Sequence, residues 1–173
     1  KTAPHKVNYR ANIWALKSLG TEEIFATTAV GSLNPDMEPG HFVVCDQVLD
    51  FTKSRINTFY DNPERGVAHV DFTNPYCPRL RDKVINCLYK TDIIFHKKGC
   101  YVCTEGPRFE TAAEIKMFAM LGGDLVGMTN MPESLLAREA EMCYTNCSIV
   151  TNMAAGISPT PLSHSEVVEA CLL

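Results

Sequence analysis

The second half of the chain alternates between strand-like and helix-like segments, and this alternation limits the possible folds more than any other feature. Residues 99–104, 124–128 and 147–150 are short and largely apolar, as buried strands are. Helix-like segments of 10 or more residues lie between them. This order predicts an α/β fold with a mixed, mainly parallel central sheet, helices on both faces and right-handed crossovers.

Helix start and stop signals support this reading. Residues 111–121 begin with Thr-Ala-Ala-Glu, a capping-box pattern, and two glycines follow them. Pro132 and Glu133 suit the first turn of a helix, which we expect to continue to residue 143. A second capping-box pattern at residues 163–166 predicts a final helix. The first half of the chain predicts helices over 12–19 and 78–89, and strands over 24–28 and 41–45.

Composition excludes several classes of protein. The 173 residues are enough for one domain, and their net charge of −4 disfavours binding to nucleic acid or to an anionic membrane. No apolar run approaches the roughly 20 residues that span a bilayer, and no signal peptide is recognisable. The eight cysteines lack zinc-ligand spacing, so we expect reduced, mostly buried thiols, no metal and a cytoplasmic location.

Four segments are candidates for a ligand site because each follows or ends a predicted strand. In a sheet of this kind, ligands bind at the carboxyl ends of the strands. The four segments combine small residues, which let backbone amides approach a ligand, with threonines, whose hydroxyls can bind an anion. They are residues 27–32, 105–111, 127–133 and 151–156.

In this order, the four segments resemble the trimeric-class purine nucleoside phosphorylase and methylthioadenosine phosphorylase family. The most specific part is Glu-Gly-Pro-Arg-Phe-Glu-Thr at 105–111, followed by Gly-Met-Thr-x-x-Pro-Glu at 127–133. The resemblance implies phosphorolysis of a purine nucleoside to the free base and ribose 1-phosphate, in purine salvage. It also implies phosphate as co-substrate, no cofactor, and a homotrimer or hexamer.

The resemblance further implies roles for twelve residues. Glu110 and Asn152 would recognise the purine base and stabilise it as the leaving group. Thr28, Ala29 and Thr129 would hold phosphate. The remaining substrate contacts would come from Val30, Gly31, Phe109, Gly127, Met128, His164 near the ribose 5′ position, and His69 reaching a neighbouring subunit's site.

Several of these residues also have a purely structural interpretation, which the sequence leaves open. Glu110 could favour a helix N-terminus, Asn152 could shape a turn, and Phe109 could belong to the core. His69 and His164 could be ordinary loop residues. Thr111 and Glu114, by contrast, we interpret as capping residues.

Glu110 and Asn152 together favour 6-oxopurines. The resemblance implies that members of the 6-aminopurine branch of the family have a Ser and an Asp at these two positions. An ionised Glu110 can accept a hydrogen bond from the ring N–H of hypoxanthine or guanine, whereas adenine has a lone pair there. We therefore expect inosine and guanosine as substrates. His69 resembles the methylthio branch, so 5′-methylthioadenosine and 5′-methylthioinosine remain alternatives.

The resemblance also implies a preceding segment with the first strand, a glycine-rich phosphate loop and an Arg-His pair. We therefore expect residues 1–173 to be the C-terminal portion of a single phosphorylase domain. Alone, they would be a poor catalyst because the main cationic partner of phosphate would be lost. A non-catalytic nucleoside-binding remnant is the alternative.

Overall fold

The computed structural model describes residues 2–64 and 66–157, which form one mixed sheet with helices on both faces. A short 3-10 helix, Pro4–Lys6, precedes the main elements. The strands are β1 (Glu23–Ser32), β2 (Phe42–Val44), β3 (Gln47–Phe51), β4 (Phe95–His96), β5 (Cys100–Thr104), β6 (Leu125–Gly127) and β7 (Cys143–Met153). The helices are α1 (Tyr9–Ser18), α2 (Pro78–Leu88), α3 (Ala112–Met120) and α4 (Glu133–Glu139).

The sheet confirms the prediction of a mainly parallel arrangement. Its strand order is β3-β5-β6-β1-β7-β2-β4. Within the described residues, β1 and β6 are antiparallel, as are β2 and β7, and the other four neighbouring pairs are parallel. The long parallel pairing of β1 with β7 lies at the centre and brings the fourth candidate segment beside the first, while β6 brings the third segment to the other side of β1.

Alternating side chains of the strands build a core on each face of the sheet. Tyr101 and Cys103 of β5 belong to the larger cluster, which also contains Ile13 of α1 and Leu136 of α4. Val102, between them, points to the opposite face and packs with residues of α3 such as Phe118. The predicted placement of helices on both faces is therefore confirmed.

The helix boundaries follow the capping signals except at α4. Thr111 and Glu114 form a complete capping box at the start of α3. The expectation that the next helix continues to residue 143 is wrong, since α4 ends at Glu139 and Cys143 begins β7. Glu141 has a positive φ of 57°, and the Met142 amide turns back to the Ala137 carbonyl, so the chain reverses there.

Helix α1 and strand β3 also differ from what the sequence predicted. Helix α1 begins three residues early, at Tyr9, because the Asn8 side chain caps it by accepting from the Ala11 amide. Strand β3 was not expected, since Val48 and Leu49 are adjacent apolar residues between polar Gln47 and Asp50, so apolar and polar residues do not strictly alternate. The helix predicted from residues 163–166 lies outside the described residues. Among those described, no helix is long and apolar enough to cross a bilayer.

Candidate active site

The carboxyl ends of β1, β6 and β7 and the loop after β5 enclose a cavity of about 220 Å³. Nine of the twelve residues assigned by resemblance line it: Ala29, Val30, Gly31, Phe109, Glu110, Gly127, Met128, Thr129 and Asn152. Pro4, Val126, Thr151 and Ala154 complete the wall. The fold thus brings together segments that are more than 100 residues apart in sequence.

A β-bulge in β7 forms one side of the cavity. Val30 lies opposite Val150, but Gly31 lies opposite Asn152, so Thr151 is the extra residue. Bulges re-aim side chains and are common beside active sites. The Thr151 hydroxyl is 3.2 Å from the Val30 carbonyl oxygen and 2.9 Å from Oδ1 of Asn152. The bulge therefore supports the side chain that follows it.

The amide group of Asn152 has a defined orientation. Its Nδ2 donates to the Met153 carbonyl (2.9 Å), and its Oδ1 accepts from the Thr151 hydroxyl (2.9 Å). A carbonyl can only accept, so the nitrogen must face Met153. One N–H and one oxygen lone pair are then left for a ligand. A Cβ at Gly31 would lie only 3.2 Å from this Nδ2, so a larger residue would crowd the amide.

Glu110 is held by the last residue of β5. The Thr104 hydroxyl donates to Oε1 of Glu110 (2.7 Å), and no described residue donates to the other oxygen. Glu110 is half-buried, while Phe109, immediately before it, remains 40% exposed. A carboxylate with a free oxygen beside an accessible aromatic ring suits a flat heterocycle that carries an N–H donor.

Gly127 lies in the wall of the cavity at a position where the structure has no space for a side chain. A Cβ at Gly127 would lie 2.1 Å from the Tyr101 hydroxyl oxygen and 3.2 Å from the side chain of Val30. Tyr101 is fully buried, and burial raises the pKa of its hydroxyl well above its ordinary value. This tyrosine is consequently neutral. Its hydroxyl packs against the backbone of Gly127, and the Thr129 amide lies 3.5 Å from its oxygen.

A buried arginine, Arg55, joins two of the cavity loops from behind. Its side chain is 1% exposed. Nη2 donates to the carbonyls of Thr104 and Glu105 (both 2.9 Å), and Nη1 donates to the Met131 carbonyl and to the Tyr9 hydroxyl. Arg55 therefore fixes the end of β5, before Glu110, relative to the loop that follows Thr129.

Glu105 completes this network on the loop side. Burial pushes the pKa of its carboxyl upward, but hydrogen bonds from Ser54 and the Lys53 amide, together with nearby Arg55, bring the pKa below its usual value. Its Oε2 lies 3.5 Å from Nε of Arg55. The carboxylate is therefore ionised at neutral pH and balances the buried guanidinium.

A sequence profile of the Phosphorylase superfamily matches residues 2–172. The chain belongs to this superfamily. It is 61% identical over 171 residues to the 6-oxopurine nucleoside phosphorylase of Pyrococcus furiosus, covering 96% of this chain and 64% of that protein. It is also 55% identical over 166 residues to a probable S-methyl-5′-thioinosine phosphorylase of Methanothermobacter thermautotrophicus, of which it covers 56%.

Solved structures of the superfamily share the fold. The methylthioadenosine phosphorylase of Schistosoma mansoni in complex with adenine superimposes with a TM-score of 0.92 at 37% identity, covering 97% of this chain and 65% of that one. This chain therefore spans about 64% of the length of the P. furiosus relative and about 65% of the S. mansoni chain.

Three of the residues assigned by resemblance to the phosphorylases lie away from the cavity or outside the described chain. Thr28 points to the face of the larger core, where its hydroxyl is 2.9 Å from Oγ of Ser148 and 3.3 Å from Oδ1 of Asn146. His69 is exposed in the long connection between β3 and α2. His164 lies outside the described residues. Their roles stay predictions.

The sequence did not point to the residues that support this cavity from behind. Thr104 and Arg55 received no role, and Thr151 was noted only as part of a segment. A threonine at the last position of a predicted strand gives a weak signal for Thr104. Nothing in the sequence places Arg55, because it lies in an irregular connection and approaches the site only in the folded chain.

Proposed function

We propose that the protein containing this chain phosphorolyses purine nucleosides, with inosine and guanosine preferred over adenosine. The observation that carries the proposal is the shared cavity of Glu110 and Asn152, one an acceptor and the other a donor with a free N–H. The 6-oxopurine nucleoside phosphorylase name of the P. furiosus relative supports the same substrate class.

The two side chains match the hydrogen-bonding edge of a 6-oxopurine. The Glu110 carboxylate accepts from a ring N–H, and the free N–H of Asn152 stabilises negative charge on the departing base. Adenine would place a lone pair opposite the Glu110 carboxylate. A site built on specific hydrogen bonds can reject such a mismatch by roughly 10⁴–10⁵-fold.

Phosphate would bind in the cavity beside Ala29 and Thr129. The ribose reacts through an oxocarbenium-like state, so the protein has to position phosphate and support the leaving base, with no covalent nucleophile. The buried thiol of Cys103 in β5 is consistent with this, since burial raises its pKa to about 11 and keeps it protonated.

A methylthio nucleoside is the second candidate substrate. The relative from M. thermautotrophicus is named a probable S-methyl-5′-thioinosine phosphorylase. We infer that exposed His69 reaches the 5′ end of a nucleoside bound by a neighbouring subunit, in a trimer or a multiple of one. Sedimentation of a monomer alone at micromolar concentration would contradict this assembly.

The experiment measures turnover of the intact gene product with phosphate on inosine, guanosine, adenosine and the two methylthio nucleosides. We expect inosine or guanosine to exceed adenosine by far more than tenfold in kcat/KM. A preference for adenosine or methylthioadenosine by more than tenfold would refute the assignment of the base. Turnover of methylthioinosine above inosine would shift the assignment to the second candidate.

A further inference from the structure

Glu110 lines two cavities, and only one of them is the proposed purine site. The second cavity, of about 350 Å³, lies on the other side of the loop after β5, and its wall includes Lys53 and Arg108. Arg108 is already paired with Glu114, so Lys53 is the cation of this wall that would attract a carboxylate free to rotate. The purine-facing position of Glu110 therefore needs something to retain it.

Thr104 supplies the one hydrogen bond that retains the Glu110 carboxylate among the described residues. Its hydroxyl is 2.7 Å from Oε1 of Glu110 and 3.4 Å from the Gly127 carbonyl oxygen. A hydroxyl has a single proton, and the shorter, charge-assisted contact is the stronger one. Thr104 is only 8% exposed, so little water competes with this bond.

The position of Thr104 is in turn fixed by its backbone. It pairs with Phe51 at the end of β3, and its carbonyl accepts from the buried Arg55. The hydroxyl is thus carried by a strand end that is held on two sides. Rigid support of this kind keeps a ligand-binding side chain within a fraction of an ångström of the ligand atom that it contacts.

We infer that Thr104 is a positioning residue for purine selection, which holds Glu110 against the 6-oxopurine edge. This inference rests on the proposed function, since it assumes that Glu110 reads the base. Thr104 lines the second cavity and is not part of the wall of the proposed purine site. Its effect is therefore on the discrimination between purines and not on the closure of the cavity.

The test compares three variants of the chain. Thr104→Val keeps the branched shape and removes the hydroxyl, and Thr104→Ser restores the hydroxyl. Thr145→Val is the matched control, because Thr145 is a fully buried strand threonine whose hydroxyl has no partner in the described structure and which is not part of the cavity wall. Circular dichroism and urea unfolding confirm that each variant folds.

Calorimetry with hypoxanthine and adenine then measures the ratio of the two dissociation constants. Loss of a hydrogen bond to a charged group should lower the preference for hypoxanthine about tenfold to a hundredfold in Thr104→Val. Adenine binding should stay the same or improve, since the carboxylate that opposes the lone pair of adenine is no longer held in place. Thr104→Ser should restore the preference, and Thr145→Val should leave it unchanged.

Crystal structures of the wild-type chain and of Thr104→Val supply a readout that needs no purine. We expect the Glu110 carboxylate to turn toward Lys53 in the second cavity in the variant. If wild type shows no preference for hypoxanthine, the proposed base specificity fails, and the crystal structures still decide the role of Thr104. If wild type prefers hypoxanthine but Thr104→Val keeps both the preference and the Glu110 position, the inference is overturned.

Discussion

Replacing Arg55 by Met should destabilise the chain far more than an ordinary arginine substitution. Arg55 donates to the carbonyls of Thr104, Glu105 and Met131, and its side chain is 1% exposed. Methionine fills similar space but leaves these carbonyls without their donor and the Glu105 carboxylate without its neighbouring positive charge. Removing one partner of a buried charged network costs about 3–5 kcal/mol, a large part of the roughly 5–15 kcal/mol that stabilises a typical domain.

Urea unfolding followed by circular dichroism measures this loss. With a urea dependence of about 2 kcal/mol per molar, the midpoint should fall by roughly 1.5–2.5 M. Arg55→Lys should recover only part of the loss, because an ammonium keeps the charge but cannot form the fork that spans Thr104 and Met131. Binding of hypoxanthine should also weaken, since both loops that Arg55 joins line the cavity.

Arg79→Met is the matched control for the arginine substitution. Arg79 forms an ion pair with Glu23 on the surface, and its side chain is 60% exposed. Exposed pairs contribute about 0–1 kcal/mol, so the midpoint should move by no more than roughly 0.5 M. If Arg55→Met shifts the midpoint as little as Arg79→Met, the buried network does not join the loops as described.

Two further predictions concern the base and the cap of α3. Asn152→Asp should move relative turnover from inosine toward adenosine, because a carboxylate accepts from an exocyclic amine and repels a 6-oxo group; unchanged relative rates would mean that Asn152 does not read the base. Hydrogen bonds from Arg108, the larger cause, and from the Thr111 backbone lower the pKa of Glu114 to about 2. The contribution of the Glu114 carboxylate to the free energy of unfolding should therefore be complete above the unfolded pKa of about 4.3 and disappear as the pH falls toward 2. The difference in free energy of unfolding between wild type and Glu114→Gln should shrink over that range, and a constant difference would contradict the assigned cause.

The sequence alone determined the fold class and most of the cavity wall. Strand and helix periods are local properties, so the order of elements could be predicted wherever the periodicity was strong. The family motifs identified nine residues that the structure places around one cavity, among them Phe109, Glu110 and Asn152. The capping box of α3 was readable because Thr111 and Glu114 are only three residues apart.

Local sequence patterns gave the wrong secondary structure where pairing with a distant strand determined it. Cys143 looked like the end of a helix, but the long parallel pairing of β7 with β1 makes it the start of a strand. Strand β3 exists because β5 offers it a hydrogen-bonding edge. In both cases a ladder of hydrogen bonds formed by a remote segment overrides the local preference.

Only the tertiary structure decided how Glu110 and the cavity loops are held. The Thr104 hydroxyl reaches Glu110 because the loop after β5 folds back, and Arg55 meets the carbonyls of Thr104 and Met131 across separations of 49 and 76 residues. No spacing rule connects such positions. The sequence determined which chemical groups are available, and long-range packing determined which of them were buried together and fixed in place.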